Sequence, residues 1–559
     1  MARNNVARSG WHHSQCTVEL SLPSSLEPFR PPPDRPLKLP VTRSRTRQRL
    51  LAGLCAAALC VPAAGPGAWA QNTLPALGDA ASEGFGVGAE RKLGDQIMRE
   101  IRRDPDYLDD PLLLEYLHSV FQPLVTAARQ RGEIGPDVEQ RFAWEAFLVR
   151  DRSVNAFALP GGYVGVHLGL IAMTATRDEL ASVLAHELSH VTQRHIARGF
   201  ANSRRQSLIG AAAFILGVIA ASRSSNADAA NALMTGGQAA AVQGMLNFSR
   251  DMEREADRIG LGIMTSAGFA PGGMAAMFEK MAQSSRLNDS GAFPYLRTHP
   301  LTSERIGEAR ARLGVGAAAA PVSVLEHSAA QARARVLMDT HIDALRRWQA
   351  LDGSGSAAGL PEQLAAAYSS ALASTLLRDW ERADTALRKA TGLLPSGARS
   401  DTRAERALAL LGVQMALERG DVARAESALG SHAGDGSRAV ALLSARLALA
   451  GGASGAAAKR SADELQTWVT AHPRDAAAWG LLGQLWGQLG QPLRGLRAEA
   501  ESRLALGDLM GAVDRLRAGQ RLARSGQSAD FIEASVIDAR LRDVEALRRQ
   551  LAAEERQGG

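Results

Sequence analysis

The sequence contains almost no cysteine. Cys16, Cys55 and Cys60 all lie within residues 1–70, and the rest of the 559-residue chain has none. Without thiols, residues 71–559 can form no disulfide, no thiolate zinc site and no cysteine nucleophile. A chain of this kind is compatible with an oxidising compartment.

Aromatic residues and unbalanced charge are also scarce. Aromatics make up 5% of the chain, while alanine and leucine are abundant, a composition that favours helices over strands. The formal net charge of +6 arises in residues 1–70, which carry nine Lys/Arg and three Asp/Glu and leave the remainder formally neutral. No basic block remains that would indicate nucleic acid as a partner.

Long hydrophobic runs are missing beyond residue 70, since spanning a bilayer requires roughly 20 apolar residues. The sequence therefore predicts no transmembrane span in residues 71–559. Residues 208–221 are almost wholly apolar but too few to cross a membrane straightforwardly. A buried core helix is the first interpretation of this segment, and a membrane-contacting helix is the alternative.

Residues 1–70 have the layout of an N-terminal extension followed by a secretory signal peptide. Four arginines between positions 43 and 49 precede a short apolar run, and Ala68-Trp69-Ala70 offers small residues for cleavage before Gln71. A membrane anchor is the alternative, but the apolar run is too short for one. The extension before a complete signal also suggests that translation starts near Val41. The predicted mature chain begins at Gln71 and is secreted.

One segment has the pattern of a metal-binding and catalytic motif. The residues His186-Glu187-Leu188-Ser189-His190 match H-E-x-x-H. A helix is predicted to begin near Thr176 and to run to about Gly199. On a helix, positions i and i+4 share a face, so both imidazoles can reach one zinc ion. Glu187 lies beside that face, where it can act as general base on a zinc-activated water. Two solvated histidines on a surface helix are the alternative.

The third metal ligand must come from elsewhere in the chain. A metzincin would have Gly and His at positions 193 and 196, where this sequence has Gln193 and Ile196. His195 lies off the ligand face of a continuous helix and is interpreted as a surface residue. In gluzincins the third ligand is a glutamate on a second helix.

The segment 249–257 offers such a glutamate. Glu253 and Asp257 are four residues apart, so Glu253 could bind zinc while Asp257 accepts the spare N–H of a ligating histidine. A solvated acidic helix is the alternative, because Asp251 and Glu255 form an equally good pair. Spacing alone does not decide between them.

Together these motifs resemble a known family. His186-Glu-x-x-His190, Glu253-x-x-x-Asp257 and the turn Asn155-Ala-Phe-Ala-Leu-Pro-Gly-Gly162 resemble the zinc peptidases that include the CAAX prenyl endopeptidase and HtpX. The signal peptide and C-terminal repeats are similar to its soluble members, the periplasmic beta-barrel assembly-enhancing proteases. The resemblance implies zinc ligands His186, His190 and Glu253, with Glu187 and Asp257 as catalytic residues. It also implies that the strand after Asn155 borders the cleft.

The resemblance gives Thr298-His299-Pro300-Leu301 a meaning as well. In the periplasmic members a histidine in this loop can be a fourth zinc ligand that keeps the enzyme latent, and His299 matches that position. A loop histidine near the cleft without metal contact is the alternative. Arg305, shortly afterwards, is interpreted as structural.

The C-terminal part contains degenerate helical-repeat signals. Trp479-Gly-Leu-Leu-Gly483 resembles the first half of a tetratricopeptide unit, and Asp379–Ala383, Gly420–Ala425 and Gly507–Ala512 resemble second halves. Such stacks form concave surfaces that bind peptides or proteins, and a purely structural cap is the alternative.

The sequence thus predicts an α+β gluzincin-type domain, mostly helical with a small sheet, followed by an all-α tetratricopeptide-like solenoid. The predicted boundaries are 71–315 for the peptidase, 316–330 for a linker and 331–559 for the repeats. The predicted function is a periplasmic endopeptidase with one zinc per chain. By resemblance, it would act on misassembled outer-membrane proteins, and its repeats would dock the assembly machinery. The alternatives are a chaperone or scaffold with a mostly silent protease, and an integral-membrane protease.

Overall fold

The computed structural model describes residues 85–201, 249–287, 293–313, 325–353, 359–395, 401–452, 455–525 and 530–558. The predicted signal peptide and the apolar segment 208–221 lie outside these residues. Within them, no helix combines the length and hydropathy that crossing a membrane requires.

A small mixed sheet lies in the N-terminal half of the described chain. Its strands are β1 (Tyr107–Leu108), β2 (Glu145–Val149), β3 (Ala156–Leu159) and β4 (Tyr163–His167), in the spatial order β1-β2-β4-β3. β2 and β4 are parallel, and the outer two pairings are antiparallel. The segment 155–162, interpreted from sequence as a turn, contains β3. In this strand order β3 forms one edge of the sheet.

Helices pack against the sheet and provide most of the core. The apolar face of the longest one in this half, Pro111–Gln130, is fully buried. The helices are α1 (Val87–Ile101), α2 (Pro111–Gln130), α3 (Pro136–Arg141), α4 (Leu168–Met173), α5 (Arg177–Thr192), α6 (His195–Ala201), α7 (Arg250–Ser266), α8 (Gly272–Leu287), α9 (Tyr295–Thr298) and α10 (Ser303–Arg312).

Helix α5 carries the H-E-x-x-H motif through the middle of this core. It begins as predicted, because the Thr176 hydroxyl accepts the backbone N–H of Glu179 and the Glu179 carboxylate accepts that of Ala175. It ends at Thr192, earlier than the predicted Gly199. Arg194 adopts a left-handed backbone conformation with φ of 52°, so the chain turns before α6 begins.

Helix α7 crosses α5 at very short range. Gly260 makes this possible, since a Cβ atom there would lie 3.1 Å from the carbonyl carbon of Ala185 and from the backbone nitrogen of His186. The Ser249 hydroxyl caps α7 by accepting the N–H of Met252. The close crossing brings the acidic residues of α7 within reach of the α5 histidines.

The C-terminal half of the described chain is helical, and helices adjacent in sequence pack against one another. Several begin at an aspartate whose carboxylate accepts a backbone N–H of the first turn, as at Asp379, Asp421 and Asp508. The helices are α11 (Leu325–Leu337), α12 (Ile342–Gln349), α13 (Leu360–Leu376), α14 (Trp380–Gly392), α15 (Thr402–Arg419), α16 (Val422–Leu429), α17 (Arg438–Ala450), α18 (Gly455–Ala471), α19 (Ala476–Gln488), α20 (Pro492–Ala505), α21 (Leu509–Arg524) and α22 (Phe531–Gly558).

The small residues of the predicted repeat motifs are buried in this region. Ala383, Ala425 and Ala512 are all fully inaccessible, each four residues after a capping aspartate. Small side chains allow the close helix contacts that a repeat requires. The arrangement is a helical C-terminal region, and the tetratricopeptide assignment itself stays a prediction.

The predicted linker is partly wrong. Helix α11 begins at Leu325, inside the segment 316–330, and packs against α4 and α2. His327 of α11 is buried between the Tyr116 hydroxyl and the Thr174 carbonyl. The Gly/Ala/Pro composition of the segment predicts a linker, but its last residues, 325–330, are helical and part of the core.

Candidate metal centre and active site

The two histidines of α5 lie side by side in the core. His186 and His190 are both buried, and their Nε2 atoms are 3.0 Å apart. This follows from the i, i+4 spacing on a helix. The motif therefore does not lie on a solvated surface helix.

Helix α7 adds two carboxylates to the pair. The Glu253 oxygens lie 3.6 Å from His186 Nε2 and 3.4 Å from His190 Nε2. Asp257 contacts the opposite side of the first ring, with Oδ1 2.9 Å from His186 Nδ1. Both carboxylates are buried, so the segment is not a solvated acidic helix on this face.

Arg305 of α10 holds both carboxylates in place. Its Nε and Nη2 donate to the two oxygens of Asp257 at 2.7 and 2.8 Å, and its Nη1 lies 2.8 Å from Glu253 Oε2. Burial would raise the pKa of Asp257, but the bonds from Arg305 and His186 outweigh it and lower the pKa to about 2. Arg305, interpreted from sequence as structural, thus contacts the candidate site directly.

His299 completes the cluster from the loop after α9. Its Nδ1 lies 2.9 Å from Glu253 Oε1 and 3.3 Å from His186 Nε2. Its ring stacks on Tyr295, with ring centroids 4.6 Å apart. His299 is 1% exposed and is therefore buried within the cluster. One ligand atom each from His186, His190, Glu253 and His299 lie within 4.8 Å of one another.

Glu187 lies beside this cluster, between it and the sheet edge. Its Oε2 accepts the backbone N–H of Ala158 in β3 at 3.0 Å. Its Oε1 is 3.5 Å from His299 Nε2 and has no hydrogen-bond donor among the described residues. Burial raises the pKa of the Glu187 carboxyl, which brings it closer to the range of a general base.

The interpretation of His195 as a surface residue is wrong. It is 1% exposed, and its Nδ1 lies 2.8 Å from His190 Nδ1. Its Nε2 lies 3.0 Å from Glu255 Oε2, which also accepts a bond from Arg198. The error came from extending α5 as one continuous helix, whereas the turn at Arg194 redirects the chain.

The donor set fits a metal ion. Asp257 is bound to His186 Nδ1 and His195 to His190 Nδ1, so both rings present their Nε2 atoms to the shared space. Two imidazole nitrogens and a carboxylate converge on one buried space, where they could hold a cation. Nitrogen and carboxylate ligands in this combination suit zinc.

The fold and the site together define a metallopeptidase domain, in which a helix-borne H-E-x-x-H pair faces a glutamate of a second helix. Residues 111–313 match the model of Peptidase family M48. This part of the chain is therefore similar to the M48 peptidases.

Curated relatives support the same family. The chain is 38% identical over 269 residues to the putative beta-barrel assembly-enhancing protease of Vibrio cholerae, covering 47% of this chain and 52% of the relative. The beta-barrel assembly-enhancing protease of Escherichia coli is 35% identical over 269 residues, covering 48% and 52%. The mitochondrial metalloendopeptidase OMA1 of Saccharomyces cerevisiae is 32% identical over 197 residues, covering 34% and 53%. The chain spans about half the length of these relatives.

Proposed function

We propose that this chain is a zinc-dependent endopeptidase that binds one zinc ion through His186, His190 and Glu253. The observation that carries the proposal is the buried convergence of these three side chains with His299 within 4.8 Å. Buried charged groups are paired or coordinate metals, and the M48 match of residues 111–313 supports a metallopeptidase.

Different residues of the chain have different roles in the proposed reaction. When bound, zinc would act as a Lewis acid on the scissile carbonyl and lower the pKa of the attacking water. Glu187 removes a proton from that water through Oε1, the oxygen that has no hydrogen-bond donor among the described residues, and later delivers it to the leaving amine. The Ala158 N–H holds the other oxygen and so fixes the carboxylate. Asp257 and Arg305 keep His186 in the tautomer that ligates metal.

His299 keeps this enzyme latent. Its ring is buried between Glu253 and Glu187, where the catalytic water and the substrate carbonyl must be. Cleavage therefore requires the loop after α9 to move, which exposes the site. The closed arrangement also supports the second candidate, a chaperone or scaffold whose protease is mostly silent.

The biological setting belongs to the same proposal. The relatives named for beta-barrel assembly and the predicted signal peptide support secretion to the periplasm and a role in outer-membrane protein quality control. Misassembled outer-membrane proteins would be the substrates. The helical region 331–559, as a tetratricopeptide-like solenoid, would dock them or the assembly machinery.

The test is casein degradation by residues 71–559, with zinc content measured, for wild type, Glu187→Gln and His299→Ala. We expect one zinc per chain, a loss of activity on the order of 10²–10⁴-fold in Glu187→Gln, and higher activity in His299→Ala. Glu304→Gln, which changes an exposed carboxylate of α10, is the matched control and should behave as wild type.

Two other outcomes are informative. Bound zinc with no activity in either wild type or His299→Ala would favour the chaperone or scaffold. Absence of any bound metal would overturn the ligand assignment.

A further inference from the structure

The position of His195 depends on how the chain leaves α5. In a continuous helix, a residue five positions after His190 is rotated by about 140° from it, because each residue advances roughly 100°. Arg194 instead adopts a left-handed conformation that ends the helix and turns the chain. His195 therefore lies against the His190 ring.

A buried ion pair stabilises this break. Arg194 Nε lies 2.9 Å from Glu90 Oε2, and its Nη2 donates to the carbonyl of Phe85 at 2.6 Å. Glu90 and Arg194 are 2% and 6% exposed. A left-handed backbone conformation is unfavourable for a non-glycine residue, and the contact with α1 offsets this cost. The turn at Arg194 is therefore stabilised by tertiary contacts, and it determines where His195 lies.

The hydrogen bonds of His195 run in one direction. The Glu255 carboxylate can only accept, so His195 Nε2 donates to it across the 3.0 Å contact. His195 Nδ1 is then the acceptor, and His190 Nδ1 must donate to it across 2.8 Å. His190 is left with an unprotonated Nε2, the atom that lies in the cluster with Glu253 and His186.

We infer that His195 and Glu255 are positioning residues for the second metal ligand. They hold the His190 ring in orientation and tautomer, as Asp257 and Arg305 hold His186. The two ligands of α5 are thus held by different groups: a carboxylate binds one directly, and a histidine bound to a carboxylate binds the other. Bonds of this kind raise the basicity of a ligating imidazole and its affinity for metal. The inference rests on the proposed zinc ligation.

The test measures zinc affinity of the full chain by competition with a chelator, together with the visible absorption of bound cobalt(II). We expect His195→Leu, which fills the space but accepts no bond, to raise the zinc Kd on the order of 10–100-fold and to shift the cobalt bands. His195→Asn places an amide oxygen near the position of Nδ1 and should recover most of that loss.

A second pair of variants addresses Glu255 on α7. Glu255→Ala should weaken zinc binding, whereas Asp251→Ala, four residues earlier on the same helix with an 88% exposed side chain, should not. This pair also applies if His195→Leu fails to fold.

The outcomes separate this inference from the proposed function. Equal zinc affinity in wild type, His195→Leu and Glu255→Ala would overturn the positioning role while leaving the zinc site intact. Equal losses for His195→Leu and His195→Asn would overturn it as well, because packing alone would then explain the effect. A wild-type chain that binds no zinc would instead overturn the proposed function.

Discussion

At the scale of single residues, Asp257 is a buried carboxylate that accepts three hydrogen bonds. It accepts one bond from His186 Nδ1 and two from Arg305, and it is 3% exposed. These bonds need two carboxylate oxygens, whereas an asparagine offers one acceptor and two competing donors. Position 257 therefore requires the charged carboxylate of an aspartate, and an uncharged side chain of the same shape cannot replace it.

We predict that Asp257→Asn weakens zinc binding by about 10–100-fold. The amide cannot satisfy both Arg305 and His186, so the first ligand loses its fixed tautomer. Chelator competition would measure the Kd, with Glu304→Gln as the control for loss of one exposed negative charge. An unchanged Kd in Asp257→Asn would show that Arg305 alone suffices to hold the ring.

At the scale of elements, the site depends on the edge strand β3. The Ala158 N–H points away from its partner strand β4 and donates to Glu187 at 3.0 Å. The proposed general base, Glu187, is therefore bound by sheet backbone, whose position is fixed by strand pairing and not by a mobile side chain.

We predict that Ala158→Pro lowers kcat/KM about 10-fold or more, since a hydrogen bond to a charged group is worth about 1.5–3 kcal/mol. Proline removes the donor, and it should leave the β3–β4 pairing in place because this N–H lies on the unpaired edge. Ala158→Gly keeps the N–H and is the matched control. The assay is peptide hydrolysis in the His299→Ala background, with melting temperature measured alongside. Equal activity of the two variants would refute a role for this bond.

Local patterns predicted the elements whose causes are local. The start of α5 at Thr176 and the i, i+4 histidine pair both follow from residues within about one turn of each other. The break at Arg194 does not, because its partner Glu90 lies 104 residues earlier in the chain. Helical periodicity alone therefore placed His195 on the wrong side. A left-handed arginine leaves no sequence signal of the kind that a glycine would.

At the scale of the whole molecule, the helical region is joined to the peptidase domain by buried polar contacts. Arg333 of α11 donates to both oxygens of Asp110 at 2.6 Å, and also to Tyr368 of α13 and Gln414 of α15. Asp110 in turn caps α2 by accepting the N–H of Leu113. One aspartate thus begins the domain's longest helix and binds the arginine on which three C-terminal helices converge.

We predict that Arg333→Leu destabilises the chain by about 3–5 kcal/mol, because it leaves Asp110 buried without its cation. Adding Asp110→Ser should recover part of the loss, since serine still caps the helix but carries no charge. Chemical unfolding monitored by circular dichroism would measure both. If the double variant were no more stable than Arg333→Leu, the cost would lie in lost packing of the arginine rather than in the unpaired carboxylate.

His327 makes the same junction sensitive to acid. It is buried and neutral, donating from Nε2 to the Thr174 carbonyl and accepting the Tyr116 hydroxyl at Nδ1. Burial lowers the pKa of His327 to about 4 from an ordinary value of 6.5. Between these values the unfolded chain binds the proton and the folded chain does not, so folding weakens as the pH falls from about 6.5 to about 4.

The expected contribution of His327 to this loss is about 3 kcal/mol over the full window. We predict that His327→Gln is less stable than wild type at pH 7.5 but loses less stability on acidification to pH 4.5, because its amide does not titrate. The measurement is the unfolding midpoint at both pH values. His341→Gln, at an exposed position without a side-chain capping bond, is the control and should follow wild type. If His327→Gln and wild type lost equal stability on acidification, the acid sensitivity would come from groups other than this junction, and the contact between α11 and the peptidase domain would not be its source.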